Sequence, residues 1–312
     1  MRSEVLSLGT MYIDINLTRF PFNRGLLPES EIVGRDYEMA LGGSALNFAR
    51  MCATLGLRTV FIGKTGIDPL GQMLEKLAQE SGIIPAFIQD PSVSTNLGVN
   101  FISPEGQRIM TVGGTANQSL SFEEVGRMVS EHIELVRYFY LGGCFKLKSL
   151  IPDLSSLAVT AKRHNVKVVL DHGRITNAAS QEEVESIRGL SSLADFYLPS
   201  RAEFLAVWGV EEIEEGLRRI RTSSGAKVVV KDGINGAVGF NGEKVFRVPA
   251  FQVNVGNTVG SGDSFNAGFI RAHRDGLNFE DCVRFACATA AIKISQSGLP
   301  TMESVMTLLP TN

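Results

Sequence analysis

The chain has 312 residues, 44% hydrophobic and 20% charged, with 30 Lys+Arg against 33 Asp+Glu. That composition excludes a disordered, collagen-like or coiled-coil chain and suits a globular α/β fold. The charge balance carries no basic excess that would point to nucleic acid. The four cysteines, Cys52, Cys144, Cys282 and Cys287, form no C-x-x-C pair, and only four histidines accompany them, so no zinc pattern is present. Buried free thiols in a reducing compartment are expected. No run of about 18 apolar residues offers a membrane span. The apolar run Val5-Leu6-Ser7-Leu8 is too short for a signal peptide, so a cytoplasmic protein that binds no membrane is expected.

In chain order, residues 4–9 read as a short buried strand. Residues 12–41 hold Gly25, Pro28 and Gly34 between strand-like pieces and show no helical period. Residues 44–55 read as a helix, with Ser44 as its N-cap and Gly56 just past its end. A strand at 59–62 and a helix at 70–80 follow. Residues 95–111 read as a hairpin turning at Ser103-Pro104-Glu105-Gly106. Helices are expected at 122–136, 182–190 and 213–221. The β-branched runs at 166–170 and 227–231 have the character of buried parallel strands. A last helical pattern opens near Gly260 and runs to about Asp275. This alternation implies a mainly parallel sheet with helices on both faces. The two segments without helical period, about 12–41 and 95–112, are expected to form a small β-strand lid. No repeat or linker divides the chain, so 1–312 is expected to be a single domain.

The stretch Asn257-Thr258-Val259-Gly260-Ser261-Gly262-Asp263-Ser264-Phe265-Asn266-Ala267-Gly268 carries the most chemical information. Gly260 and Gly262 allow a tight turn. The helix that follows has first-turn N–H groups without intrahelical partners and the positive end of its dipole, which together favour phosphate. Asp263 reads either as an acidic cap or as a carboxylate that takes a proton from an attacking hydroxyl while N–H groups stabilise the transferred phosphoryl. Asp14 lies just beyond the first strand, where open α/β sheets bind ligands; its alternative is a turn-capping role. The Gly63-Lys64-Thr65 triplet is no P-loop, because position 58 is Arg58 where that motif needs Gly or Ala.

These segments resemble the PfkB (ribokinase-like) carbohydrate kinases. The stretch from Asn257 to Asp263 is similar to the family's Asp-Thr-x-Gly-Ala-Gly-Asp signature, and Gly42-Gly43-Ser44-Ala45-Leu46-Asn47-Phe48-Ala49 to its N-terminal signature, about 215 residues upstream. Gly63-Lys64-Thr65-Gly66-Ile67-Asp68-Pro69-Leu70-Gly71 resembles the family's Gly-x-x-Gly-x-Asp-x-x-Gly segment. The resemblance covers essentially the whole chain. It implies a ribokinase-like fold and an ATP- and magnesium-dependent sugar kinase. It assigns Asp263 as general base with the Gly260, Ser261 and Gly262 anion hole. It assigns Asp14, Asn16, Gly42, Gly43 and Asn47 to the sugar, and Lys231, Gly233, Thr258, Gly260 and Gly262 to ATP. Lys231-Asp232-Gly233-Ile234-Asn235-Gly236 also reads as an ordinary hairpin turn.

Three departures from the family pattern stand out. Asn257 replaces the carboxylate that helps hold a monovalent cation in many members, which argues against potassium dependence. Leu198-Pro199-Ser200-Arg201-Ala202-Glu203 is similar to the Asn-x-x-Glu motif but has Ser200 for Asn, leaving Glu203 to organise magnesium through water. Asp171-His172-Gly173-Arg174 stands where the family often has Asp-x-Asn-x-Arg. Arg174 there reads either as a contact to a phosphate or acidic substrate or as half of an internal ion pair.

The leading expectation is a sugar kinase. A nucleoside kinase is the alternative, with Phe20, Phe22 and Phe101 stacking a base, although core packing accounts for the same aromatics. A catalytically impaired sugar-binding regulator, marked by Ser200 and Asn257, is the third reading. Unpaired strand edges in the lid allow a homodimer through it.

Overall fold

The computed structural model describes residues 3–20, 36–104, 108–176, 178–223, 226–296 and 298–309. The first part of the chain runs β1 (Val5–Gly9), β2 (Tyr12–Thr18), β3 (Asp36–Gly42), α1 (Ser44–Thr54), β4 (Thr59–Gly66), α2 (Pro69–Glu80), β5 (Ile84–Asp90), β6 (Leu97–Ile102) and β7 (Arg108–Gly113). It continues through α3 (Phe122–His132), β8 (Tyr138–Gly142), α4 (Leu154–Arg163), β9 (Lys167–Asp171), α5 (Gln181–Leu193), β10 (Phe196–Tyr197), α6 (Arg201–Trp208) and α7 (Ile213–Ser223). The last part is β11 (Lys227–Lys231), β12 (Ala237–Phe240), β13 (Val245–Val248), α8 (Ser261–Arg274), α9 (Phe279–Ser295) and α10 (Met302–Met306).

Nine strands form the main sheet in the order β13-β12-β11-β10-β9-β8-β1-β4-β5. The strands from β11 to β5 pair in parallel, and only the β11–β12 and β12–β13 pairings are antiparallel. Period-2 alternation splits each central strand between two cores. Leu6, Leu8, Phe139, Leu141, Val168 and Leu170 face α3 to α7, while Val5, Tyr138, Tyr140 and Val169 face α1, α2 and α8 to α10. Helices therefore cover both faces, as the β-α alternation of the sequence implies.

From β1 the chain passes to β4 and β5 on one side and later to β8 on the other, so the strand order reverses between β1 and β8. Such a switch point opens a crevice outside the carboxyl ends of the strands. Here the backbone closes tightly: a Cβ on Gly9 would lie 2.0 Å from the Gly142 carbonyl oxygen and 2.6 Å from the Ala45 Cβ. The start of α1 thus sits directly over the switch point.

A second sheet, in the order β3-β2-β6-β7, comes from the two segments that lack helical period. β6 and β7 form the expected antiparallel hairpin, with Ile102 opposite Arg108. Its expected turn falls partly on residues 105–107, outside the described residues, as does the middle of the 12–41 segment. On one face of this sheet Ile13 and Leu41 pack into the core of α1 and α2.

Helix starts differ from the sequence reading in one informative place. Side chains cap α2, α3, α5, α6, α9 and α10, from Asp68, Ser121, Ser180, Ser200, Asn278 and Thr301. Ser44 is not the cap of α1. The N-cap is Gly43, at φ 93°, with no side-chain cap, and the Ser44 hydroxyl instead meets Thr10 Oγ1 at 3.2 Å. α8 likewise starts after a glycine, Gly260 at φ 77°, with no side-chain cap. The helix expected over 122–136 ends at His132 and continues as a 3-10 turn over Ile133–Leu135.

Lys64 lies in β4, buried between Asp90 at 3.0 Å and Glu124 at 2.8 Å, so the Gly63-Lys64-Thr65 triplet is part of a strand rather than a phosphate loop. All four cysteines are buried and unpaired. Among the described residues no helix is long and apolar enough to cross a membrane.

Candidate active site

The uncapped N-terminus of α8 forms one wall of the switch-point crevice. Gly260 adopts the left-handed conformation that glycine takes without strain. The preceding loop is tied to α9, because the N–H groups of Gly256 and Asn257 both donate to the Ile294 carbonyl, at 2.7 and 3.3 Å. The Asn257 side-chain oxygen accepts from the Val259 N–H at 2.9 Å and so fixes the turn. The Lys293 stem lies beside Gly260, its Cε 3.6 Å from where a Cβ would stand. The first-turn donors of α8 are left with no side-chain acceptor, a geometry suited to an anion.

Asp263 stands in this first turn, half-buried. Behind it lies a buried polar network. Lys231 Nζ, at the end of β11, is 2.6 Å from Asp171 Oδ2, at the end of β9. Asn266, one turn along α8 from Asp263, donates to the same Asp171 oxygen at 2.6 Å and to the Tyr140 hydroxyl at 3.2 Å, and accepts from Lys231 at 3.3 Å. Lys231 Nζ also comes within 3.5 Å of the position a Gly262 Cβ would take. Burial, and then the negative charge of Asp171, push the Asp263 carboxyl up to about 7; Lys231 and a hydrogen bond from Asn47 oppose the rise. Burial acts on Asp171 in the same sense, but Lys231 and Asn266 hold it below the ordinary carboxylate range.

The opposite wall is the second sheet. Asp14 pairs with Ala40 on β3 and Gly98 on β6. Its carboxylate is clasped by two glycines: a Cβ on Gly42 would lie 2.1 Å from Asp14 Oδ2, and one on Gly98 would lie 2.2 Å from Oδ1. Asp14 Oδ1 is buried with no partner among the described residues. Burial raises the Asp14 pKa, while the cations Arg108 and Lys146 hold it back. Asn16 accepts from Asn100 at 3.0 Å, and the Asn100 oxygen is itself buried and unpartnered. Gly43 follows Gly42 so closely over Thr10 that a Cβ would stand 2.4 Å from the Thr10 carbonyl oxygen.

A short covalent path joins the walls. Gly42 touches Asp14, Gly43 starts α1, and Asn47 on the first turn of α1 reaches Asp263. The structure thereby brings together Asp14, Gly42, Gly43, Asn47, Lys231, Gly260, Ser261, Gly262 and Asp263.

Residues 2–305 match the sequence profile described as pfkB family carbohydrate kinase. The chain belongs to the PfkB family. It is 27% identical to the 5-dehydro-2-deoxygluconokinase of Bacillus subtilis, over 98% of this chain and 95% of that protein. It is 25% identical to the ribokinase of Haemophilus influenzae, over 99% of each. The structure of Arabidopsis thaliana ribokinase complexed with ribose and ATP superposes with a TM-score of 0.80 at 24% identity, covering 100% of both chains. The protein is a carbohydrate kinase of ribokinase-like fold.

Other residues singled out in the kinase sequence lie differently. Glu203 closes a capping box on α6: its Oε2 accepts from the Ser200 N–H at 2.8 Å, and Ser200 Oγ accepts from the Glu203 N–H at 3.4 Å. Its charge still reaches the site, adding to the upward push on Asp263. Arg201 forms surface pairs with Glu212 and Asp232, both at 3.5 Å. Gly233 lies in the hairpin turn between β11 and β12, open to solvent, and Thr258 is exposed. Arg174 is exposed and forms no ion pair among the described residues. Phe20 is buried with its ring 4.7 Å from that of Phe101, a packing contact; Phe22 lies outside the described residues.

Sequence reasoning gave no role to Asp171, Asn266, Gly98, Asn100 or Lys293. Asn266 sits on the helix face of Asp263 at i+3, a spacing that could have drawn attention to it. Gly98 carries no local signal, because its purpose is a neighbour on another strand. Gly98→Ala should force the Asp14 carboxylate aside while the lid strands still pair. We expect substrate KM to rise about tenfold or more, from loss of a charged hydrogen bond, with ATP KM and the melting temperature little changed. An unaltered substrate KM would show that Asp14 keeps its place without that glycine.

Proposed function

We propose that this kinase transfers the γ-phosphate of ATP to a hydroxyl of a sugar substrate, with Asp263 as the general base. The observation that carries the reading is the Asp263 carboxylate, raised to about 7, set beside the uncapped N-terminus of α8. A base with this pKa is about half ionised at neutral pH and takes a proton readily. The first-turn N–H groups beside it, which no side chain caps, suit the charge of a phosphoryl group in transfer. The arrangement is an in-line transfer in which the protein supplies position and charge.

In this reading the two walls divide the substrates. Asp14, with its unpartnered oxygen, accepts from sugar hydroxyls, and Asn47, Gly42, Gly43 and Asn16 border the same space. Gly260, Gly262, Thr258 and Lys231 face the phosphates, with Gly233 beside the nucleotide. Three exposed apolar side chains, Ile234, Val255 and Val259, belong to the turns on this side and offer surface to a purine. ATP use draws support from the ATP-bound relative. The relatives' names span ribose and a dehydrodeoxygluconate, so the sugar is not read from them.

Magnesium fits this site as a companion of the nucleotide. Among the described residues no group of three His, Cys, Asp or Glu side chains could hold a metal ion alone. Glu203 has one oxygen engaged in its capping box, which suits contact through water better than direct ligation. Bound there, magnesium would neutralise phosphate charge. The chain's own part is to hold Glu203, Lys231 and the α8 donors in register.

The chain is taken to work as one domain, with the second sheet as a lid that excludes water when sugar is bound. β7 is exposed along its whole length and lies at the sheet edge, which makes a homodimer through the lid part of the proposal. Four buried, unpaired thiols support a cytoplasmic location.

Asp263→Asn keeps the shape of the site and removes the proton acceptor. Turnover should fall about 10²- to 10⁴-fold with ATP affinity retained; turnover near the unmodified level would rule Asp263 out as base. Potassium dependence should be weak, because the neutral Asn257 side chain is spent on the Val259 N–H and the Lys293 stem already lies beside Gly260. Asn257→Asp should create potassium activation, measured as kcat in potassium against a bulky organic cation at equal ionic strength. Strong activation of the unmodified protein would contradict this.

A further inference from the structure

We propose that this kinase has a second anion site, at the foot of the main sheet, that takes a small phosphate-bearing metabolite as an effector. The site lies at the opposite edge of the sheet from the catalytic crevice and does not depend on which sugar is used.

The parallel strands fix where this foot lies. Lys167 opens β9, Phe196 opens β10 and Lys227 opens β11, so the three sit along one edge. Asp171 and Lys231 close β9 and β11 at the other edge, in the catalytic network. A cavity of about 270 Å³ lies at the strand starts, lined by Lys162, Lys167, Ser192, Asp195, Lys227 and His273 among others. Lys162 comes from the last turn of α4 and His273 from the last turn of α8. The volume equals about nine waters at about 30 Å³ each, room for a phosphomonoester of about three carbons.

Three lysines there face one carboxylate among the described residues. Asp195 meets Lys162 at 3.5 Å and Lys167 at 3.1 Å, and its Oδ2 also accepts from the Val168 N–H at 2.9 Å. Lys162 further donates to the Leu193 carbonyl at 3.0 Å. These contacts explain Asp195 as an anchor of the strand starts, and they leave positive charge over. Lys227 is half-buried and forms no ion pair among the described residues; its ammonium rests 5.4 Å from the Phe279 ring centroid. His273 is held through Nδ1, 2.8 Å from the Tyr138 hydroxyl, and by the rings of Phe196 and Phe269. Its Nε2 has no partner among the described residues. Burial lowers the His273 pKa, and Lys227, Lys167 and Arg137 lower it further against the opposing pull of Asp195. An anion between Lys227, Lys167 and His273 would offset this crowding of positive charge. A phosphomonoester brings about two negative charges and three acceptor oxygens to the same point. A concave site with a few converging polar groups takes a small molecule, whereas nucleic acid needs an extended basic surface.

The elements that carry the catalytic charges also carry this cavity. β9 joins Lys167 to Asp171, β11 joins Lys227 to Lys231, and α8 joins His273 to Asp263. The span is about 13 Å along each strand and about 15 Å along α8. An anion that draws Lys167, Lys227 and His273 together acts on the far ends of the elements that hold Asp171, Lys231 and Asp263. Its occupancy is therefore felt as a change in nucleotide affinity, and this effector role rests on the ATP reading above.

The test is calorimetry on the full chain, with its cleft filled by magnesium and a non-hydrolysable ATP analogue. The probes are inorganic phosphate, glycerol 3-phosphate and neutral glycerol, at low and moderate salt. At least one phosphate should bind at one site per chain and weaken as salt rises, with glycerol silent. Lys227→Met keeps its stem over Phe279, and Lys167→Met keeps the start of β9. Each should cut the affinity about tenfold or more with the melting temperature little changed. Asp14→Ala and Asp263→Asn, in the catalytic crevice, should leave probe binding as it was. A saturating probe should change the affinity for the ATP analogue at least about twofold, and the analogue should change probe affinity by the same factor. Lys227→Met should lose that coupling. Silence of both phosphates, or binding that survives both lysine variants, would overturn the site. Lysine-dependent binding without coupling would overturn the effector role. If the ATP analogue itself does not bind, the ATP reading fails, and a Lys227-dependent phosphate site still stands.

Discussion

Asp171, Lys231 and Asn266 meet in a space closed to water at the carboxyl edge of the sheet, and the chemistry of Asp263 depends on how they share charge. Two carboxylates and one ammonium occupy this region. Lys231 bonds directly to Asp171, which therefore stays ionised, and Asp263 is left to bear both burial and the repulsion of its neighbour. The two acids thus move apart, one below and one above the ordinary carboxylate range. Their effects on stability have opposite signs. Asp171, with its depressed pKa, stabilises the fold above the unfolded value, and that contribution is lost on acidification. Asp263 keeps its proton in the folded state up to about 7, so its contribution is complete below the unfolded carboxylate value and is lost as pH rises through about 7. A carboxyl with its pKa raised in this way in a cleft fits the general-base role proposed for Asp263.

The cleft also depends on where side chains are missing. Six helices are capped by their own side chains, and the two that open onto the switch point begin with glycine instead. A serine or aspartate cap at Gly43 or Gly260 would satisfy the donors that an anion or a ligand must find. Gly42 and Gly98 act in the same way on the other wall, giving up their Cβ atoms so that Asp14 can lie flat between two strands.

The sequence made the ends of this machinery legible and hid the middle. The runs around Gly42-Gly43 and from Asn257 to Gly268 are local: each turn and its functional residue sit within a few positions, so pattern and chemistry coincide. The lid segments were legible by their lack of helical period. Ser44 misled as a cap because it satisfies the usual residue preference, whereas the Gly43 conformation is set by contact with Thr10, far away in the chain. The central strand β8 was not read as one, since its fully buried aromatic run lacks the alternation that identifies half-buried strands. Asp171 and Asn266 stand 95 residues apart, and nothing local announces that their side chains meet. Glu203 shows the converse: a motif legible in sequence whose first observed duty is to cap its own helix.

The central claim is that Asp263 takes the substrate proton with a pKa raised by burial and, next to it, by the charge of Asp171. The pH dependence of kcat/KM for the sugar at saturating ATP, compared between the unmodified kinase and Asp171→Asn, tests it most directly. The unmodified enzyme should lose activity about tenfold per pH unit on the acid side of about 7. Removing the Asp171 charge should move that limb toward the ordinary carboxylate range. A limb in the same place for both proteins, or a rate independent of pH from about 5 to about 8, would contradict the account.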